Sequence, residues 1–298
     1  MNNTSMMSTE KQKMKFSVAI STKGYQTLIA NTLKDPKRIN RFISSITSAV
    51  ATNPALQECD PATILSGALL GESLELSPSP QLGQYYLVPY NDKKRGCKTA
   101  QFQLGYKGYV QLAIRSGNYK RLNVLPIKEG ELIFFDPLNE EIEIRLIEDD
   151  GLRENTPTAG YYAMFEYLNG FRKVMYWSKK KMLAHADQYS MAFSAAAYAD
   201  LQAGKIPHKD LWKHSSFWYK DFDGMACKTM LRQLISKWGI MSIELRQAFE
   251  NDMGVIAEDG TVDFVDAPGT NGPVYEAEYT EAEEEGQETP RQVTFDDL

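Results

Sequence analysis

Apolar residues recur at helical spacing along two segments that each open on Asp-Pro. After Asp35-Pro36, the side chains of Ile39, Phe42, Ile43, Ile46 and Val50 form one stripe, with Lys37, Arg38 and Arg41 off it. After Asp60-Pro61, Ile64, Leu65, Ala68 and Leu69 continue the pattern until Ser77-Pro78-Ser79-Pro80. An aspartate N-cap followed by a first-turn proline starts a helix, so both segments are predicted helical. The pattern then changes period. Aromatic and β-branched runs at 84–90 and 97–104 flank Asn91-Asp92-Lys93-Lys94-Arg95-Gly96, which predicts a hairpin with a basic loop.

A short helix with Tyr109, Leu112 and Ala113 on its core side is expected next, stopped at Ser116-Gly117. Residues 119–148 read as strands, with Ile142, Ile144 and Leu146 alternating against Glu141, Glu143 and Arg145. Asn169-Gly170 joins two further strands, 160–168 and 171–177, as a tight hairpin. From Ser178 the pattern is helical again: a capped helix at 179–188, an Ala-rich stretch to Gly204, a long helix including 225–238 and a last one at 242–251. Cys227, Leu231, Leu234, Ile235 and Trp238 make the core stripe of the long helix. The fold class expected is α+β, a mostly antiparallel sheet with β-hairpins packed by helices. Three regions are expected: a flexible segment at 1–24, one domain at 25–252, and an acidic, disordered tail at 253–298.

Charge sharpens that division. The formal net charge of −6 splits at Asn251: the 48 residues from there to Leu298 hold fourteen acidic and one basic side chain, net −13, and the preceding 250 residues are net +7. A basic body is the footprint of a polyanion-binding protein, and an acidic appendage competes for that surface or recruits a partner. The end of the tail, Val293, Phe295, Asp296, Asp297 and Leu298, reads either as a docking peptide or as a solubilising tip.

Cysteines 59, 97 and 227 are widely spaced without a CxxC pair, and His185, His208 and His214 lack zinc-site spacing, so neither a disulfide framework nor a metal site is expected. There is no GxxxxGK[ST] loop, which disfavours ATP-driven strand exchange, and no cofactor is implied. No apolar stretch resembles a secretory signal or a membrane span, so the expected compartment is the cytoplasm.

Two basic clusters are the candidate sites. In the first, Lys93, Lys94, Arg95, Lys98, Lys107, Arg115, Lys120 and Arg121 stand against Asp92 alone between 85 and 121, interleaved with Tyr85, Tyr86, Tyr90, Phe102, Tyr106, Tyr109 and Tyr119. Cations for a backbone and rings for exposed bases suit single-stranded nucleic acid; an amphipathic helix with a wet basic side is the plainer reading. The second cluster holds Lys179, Lys180 and Lys181 at a helix start, then Lys213, Lys220, Lys228, Arg232 and Lys237 among Trp212, Phe217, Trp218, Tyr219 and Phe222. Lys228 and Arg232, one turn apart, suit successive phosphates. The acidic residues Glu140, Glu141, Glu143, Glu148, Asp149 and Asp150 could form a two-metal nuclease centre, but Glu141 and Glu143 alternate with isoleucines as on a solvent-facing strand. Asp221 and Asp223 fit a helix N-terminus better than a metal.

The blocks Gln103-Leu-Gly-Tyr-Lys-Gly-Tyr-Val-Gln-Leu-Ala-Ile-Arg-Ser-Gly117 and Trp218-Tyr-Lys-Asp-Phe-Asp-Gly-Met-Ala-Cys-Lys-Thr-Met-Leu-Arg232, with Leu76-Ser-Pro78 upstream, resemble the RecT family of phage recombinases over about residues 25–250. The resemblance implies a fold distantly related to the Redβ annealing protein. It also implies ATP-independent annealing of complementary single strands of DNA through a duplex intermediate, by a homo-oligomeric ring or helical filament in the bacterial host. Its usual partners are a 5′ to 3′ exonuclease and the host single-stranded-DNA-binding protein. Carried over by motif, Tyr106, Lys107, Tyr109 and Arg115 from the first block and Lys228 and Arg232 from the second are DNA contacts. Cys227 departs from the basic residue expected there. The two clusters are expected to wall a single groove around DNA. A passive single-strand protector and a metal-dependent nuclease are the rival readings.

Overall fold

The computed structural model describes residues 14–190 and 192–264. Four helices come first: α1 (Phe16–Ala19), α2 (Lys23–Leu33), α3 (Pro36–Ala51) and α4 (Pro61–Ser73). Both Asp-Pro starts fold as expected. Asp35 accepts from the Lys37 amide and Asp60 from the Ala62 amide, each at 3.1 Å. The α3 stripe buries Phe42, Ile46 and Val50, and Ile39 and Ile43 pack at its margin.

The first hairpin pairs β1 (Tyr85–Asp92) with β2 (Cys97–Leu104). Asp92 closes its turn by accepting from the Lys94 and Arg95 amides, and Gly96 takes a positive φ. Helix α5 (Tyr106–Arg115) follows, then β3 (Tyr119–Lys128), a ribbon of β4 (Leu132–Asp136) and β5 (Glu141–Ile144), and α6 (Asp150–Asn155). Strands β6 (Thr158–Tyr167) and β7 (Arg172–Ser178) meet across Asn169-Gly170, where Gly170 has φ +87°. The chain continues through α7 (Lys179–Tyr189), α8 (Ala195–Gln202), α9 (Phe217–Lys220), α10 (Phe222–Trp238) and α11 (Ile243–Asn251), and reaches β8 (Val255–Ile256) and β9 (Val262–Asp263).

Every pairing between these named strands is antiparallel: β1-β2, β3-β6-β7, β4-β5 and β8-β9. The expected α+β class is therefore correct, with its strands divided among small separate sheets. Two apolar cores result. One gathers α1 to α5, the first hairpin and α11; the other packs β6 and β7 against α7, α9 and α10. Helix α10 serves both, giving Leu231 and Ile235 to the first and Ala226, Cys227, Met230 and Leu234 to the second. A helix apolar on two faces must lie between layers.

Packing extends past both expected domain boundaries. Phe16 and Ile20 are buried in the first core although they precede residue 25. After residue 252, the Gly254 carbonyl accepts from the Phe102 amide, the Met253 amide donates to the Phe102 carbonyl, and Val255 and Ile256 are buried. Trp238, expected in the core stripe, is instead 39% exposed at the end of α10, where Lys173 of β7 lies over its ring. The expected tail beyond residue 264 lies outside the described residues, and with it Val293, Phe295, Asp296, Asp297 and Leu298. No helix among the described residues is long and apolar enough to cross a membrane.

Candidate nucleic-acid interface

The glycines of the first block fix where its cation and ring point. A Cβ on Gly105 would be driven into the Gly83 carbonyl, and one on Gly108 into that of Gln84. Only glycine lets the start of α5 lie directly on the chain entering β1. That contact holds Tyr106 and Lys107 outward, both exposed.

Tyr109, two residues on, points the other way. It is 0% exposed, and its hydroxyl donates to Asp252 at 2.6 Å. Asp252 also accepts from the Leu104 amide at 2.8 Å, from Arg232 at 2.5 Å and from Lys228 at 3.4 Å. Arg232 further donates to the Tyr109 hydroxyl at 3.1 Å and lies over the Phe249 ring. Burial acts to raise the Asp252 pKa, but the charges of Lys228 and Arg232 and the bonds from Tyr109 and Leu104 hold it below the usual carboxylate range. Burial lowers the Lys228 pKa, against the opposing pull of Asp252. Burial, then the neighbouring Asp252 charge, raise the Tyr109 pKa well above that of a free phenol.

This cluster knits α5, β2, α10 and the chain after α11. Tyr109, on the core side as its helical spacing predicts and not on DNA as the resemblance implies, and Lys228, expected on a DNA-facing wall, are thus interior groups, and Lys228 is only 8% exposed. Arg232 is half-buried and turned toward Asp252. Cys227, beside them, is buried, with its thiol pushed up to about 12 by burial and then by Asp223 and Asp221. Asp252, counted with the acidic tail, is the counter-ion of the body.

The second block is likewise explained by local structure. Asp221 caps α10 by accepting from the Gly224 amide at 2.9 Å, and a Cβ on Gly224 would clash with that carboxylate. Asp223 accepts from Tyr161 at 2.7 Å and Thr158 at 2.9 Å, binding α10 to β6. Tyr219 is half-buried; its hydroxyl accepts from the Ser194 amide at 2.8 Å and its ring meets Phe193, Tyr198 and His214.

Segments adjoining the two blocks meet through aromatic rings. Tyr86 in β1 touches Phe217 at the start of α9, with centroids 5.9 Å apart. Burial raises the Tyr86 pKa, and Asp221 and Tyr106 are close enough to raise it further. Tyr106 and Phe217 keep 39% and 49% of their surface exposed. Lys107 and Lys220 are exposed in the same two segments, and among the described residues neither has a salt-bridge partner. Nearby in sequence, Trp212 is exposed with Lys213 beside its ring.

The remaining candidate cations are dispersed. Lys93, Lys94 and Arg95 sit at the far end of the first hairpin, about 20 Å along the strand from Tyr86. Arg95 pairs there with Asp92 and Asp263. Lys98 pairs with Glu58. Arg115 bonds the Leu74 carbonyl at 2.7 Å and Glu75 at 3.3 Å. Lys120 and Arg121 share Glu166. Lys180 and Lys181 are exposed at the start of α7, with Lys181 over Trp177, and Lys237 lies by Trp238. The acidic candidates are separate as well: Glu140 pairs with Lys173, Asp149 caps α6, and Glu141 and Glu143 face outward. No group of His, Cys, Asp or Glu among the described residues is placed to hold a metal ion.

The RecT family model matches residues 40–265, spanning both blocks and the chain through Asp252 and β9. The chain belongs to the RecT family. It is 40% identical over 230 residues to YqaK of Bacillus subtilis (strain 168), an uncharacterized protein, covering 77% of this chain and 68% of that one. It is 28% identical over 214 residues to protein RecT of Escherichia coli (strain K12), covering 71% and 70%. RecT membership makes this a phage-type single-strand annealing and recombination protein, of a family generally without catalysis.

Two parts of the candidate site are not legible in the sequence. The Tyr86–Phe217 contact joins residues 131 positions apart, and each was legible only as one more aromatic among cations. Asp252 falls inside the domain expected at 25–252, but its charge is counted with the acidic tail; the signal available for its role is its position immediately after the last amphipathic helix.

Proposed function

We propose that this chain anneals complementary single strands of DNA without ATP, holding a strand by its backbone along the surface where Tyr86, Tyr106 and Lys107 adjoin Phe217 and Lys220. The Tyr86–Phe217 contact carries the reading, because it brings the start of α5, with exposed Tyr106 and unpaired Lys107, close to α9, with exposed Phe217 and unpaired Lys220. Cations there meet phosphates, and rings stack on bases without selecting among them, each stack contributing about 1–3 kcal/mol. Backbone binding leaves base edges open to a second strand. Pairing then needs only lowered repulsion and ordered bases, with no bond made or broken.

In this reading the protein works as a homo-oligomer, ring or helical filament, in the cytoplasm of the bacterial host. It receives its strand from a 5′ to 3′ exonuclease and meets the host single-stranded-DNA-binding protein. The exposed Lys93, Lys94, Lys180 and Lys181 extend the path of the strand along the oligomer. The test is a fluorescence annealing assay with purified protein and complementary oligonucleotides in the absence of nucleotide. Acceleration over the protein-free control is expected, and its absence would overturn the proposal.

A further inference from the structure

An apolar surface gathers at one end of the three-stranded sheet. Leu138 in the β4–β5 turn, Leu168 and Phe171 flanking the β6–β7 turn, Trp238 and Ile240 after α10, and Ile243 at the start of α11 are all exposed, Leu138 to 91% and Ile243 to 83%. Three polar or aromatic residues hold these segments together. Tyr167 stacks with Phe171 at 5.8 Å, donates to the Trp238 carbonyl at 3.4 Å and accepts from the Ile240 amide. Tyr119 donates to the Ile240 carbonyl at 3.2 Å. Lys173 pairs with Glu140, two residues from Leu138, and lies 4.3 Å over the Trp238 ring. Large apolar groups contributed by four segments to one place mark a contact surface, unlike apolar residues scattered singly.

The rim of this surface is cationic. Lys237 lies 6.0 Å from the Trp238 ring, Arg172 follows Phe171, and Arg246 shares a helix face with Ile243. All three are exposed, and among the described residues no carboxylate lies within salt-bridge distance of them. Glu140 and Glu166 nearby are paired with Lys173 and with Lys120 and Arg121; Glu244, in the first turn of α11, is the exposed exception.

We propose that this surface receives the chain's own segment Val293-Thr-Phe-Asp-Asp-Leu298. Val293, Phe295 and Leu298 match the apolar centre, and Asp296 and Asp297 match the rim of Lys237, Arg172 and Arg246. The reach is sufficient within one chain. Phe264 lies against Gly254, three residues beyond the end of α11, and that helix is about 13 Å long, which puts Phe264 roughly 20 Å from Ile243. Twenty-eight residues separate Phe264 from Val293, a number whose greatest possible span is roughly 90 Å. The contact is independent of DNA and of the annealing surface.

The experiment uses the full chain without nucleic acid, carrying a benzophenone amino acid in place of Phe295. Equal amounts of light and isotope-labelled heavy chains are mixed, irradiated and mapped by mass spectrometry. Cross-links to Leu168, Phe171, Trp238, Ile240 or Ile243 are expected, each within a single isotope, with the yield lowered about fivefold or more by Ile243→Glu. That substitution puts a negative charge on an exposed first-turn position, which a helix tolerates well. Absence of cross-links, cross-links to other parts of the body, or a yield indifferent to Ile243→Glu overturns the proposal. Mixed light–heavy products at the same residues also overturn it, since the occupant is then a second copy.

Discussion

The Tyr109 hydroxyl donates to Asp252 at 2.6 Å, joining the middle of α5 to the residue that follows α11. Because α5 is held at that point and by its glycines against the Gly83–Gln84 backbone, Lys107 and Tyr106 have one way to face, outward beside Tyr86 and Phe217. The interior charge cluster thereby positions the proposed DNA surface without touching a strand.

Asp252→Ala should be strongly destabilising, since it leaves Lys228 and Arg232 buried or half-buried without their counter-ion. Removing one partner of such a cluster costs about 3–5 kcal/mol. Urea unfolding should show the midpoint falling accordingly, and an unchanged midpoint would remove the bracing role assigned to Asp252.

Acid should weaken the same brace. Asp252 has a folded pKa below its unfolded value near 3.8, so between the two the unfolded chain binds more protons. Its contribution is fully present above the unfolded value and is lost as pH falls through the depressed folded value. Unfolding followed from pH 6 downward should therefore fall less steeply below about pH 4 in Asp252→Asn than in the wild type.

Lys107→Ala and Lys228→Ala should part company. Loss of exposed Lys107 is expected to weaken single-strand binding, reduce the salt slope by about one phosphate contact and leave the unfolding curve in place. Loss of buried Lys228 should move the unfolding curve first. Binding isotherms at several salt concentrations, beside urea melts, separate the two; equal salt slopes for wild type and Lys107→Ala would take Lys107 out of the surface.

Gly108→Ala tests the close approach of α5. The added methyl collides with the Gln84 carbonyl, which cannot rotate away as a side-chain tip does. A loss of about 1–3 kcal/mol is expected in chemical unfolding, although alanine has the higher helix propensity. A gain in stability would show that the approach is looser than described.

Chains ended after residue 254 and after residue 264 should differ. The shorter one loses Val255 and Ile256, whose burial contributes about 1.5–3 kcal/mol each, and should unfold at lower urea. The longer one keeps β8 and β9 and should unfold at higher urea than the shorter.

Much of the local structure was legible before any coordinates. Asp35-Pro36, Asp60-Pro61, Ser178 and Asn169-Gly170 each carry their physics within a few residues, as a cap, a fixed φ or a tight turn, and each forms the element expected. The strand at Glu141–Ile144 follows from its own alternation. Lys228 was misplaced for the converse reason: helical spacing locates it on the flank of a stripe but does not say whether another element covers that flank, and Asp252 arrives from outside the helix to do so. Trp238 shows the opposite error, a residue in phase with a core stripe yet exposed at the last position of its helix.

What the sequence determined by itself was periodicity, caps, turns, family membership and a basic body, because these depend on neighbours within about one turn or on motifs read in order. What only the tertiary structure decided was the fate of each charge. Lys107 and Arg232 look alike in sequence, yet one is exposed and unpaired beside aromatic rings while the other is turned inward onto a carboxylate. An ion pair forms when distant segments bring opposite charges within a few ångströms away from water, and no local pattern records which segments those are.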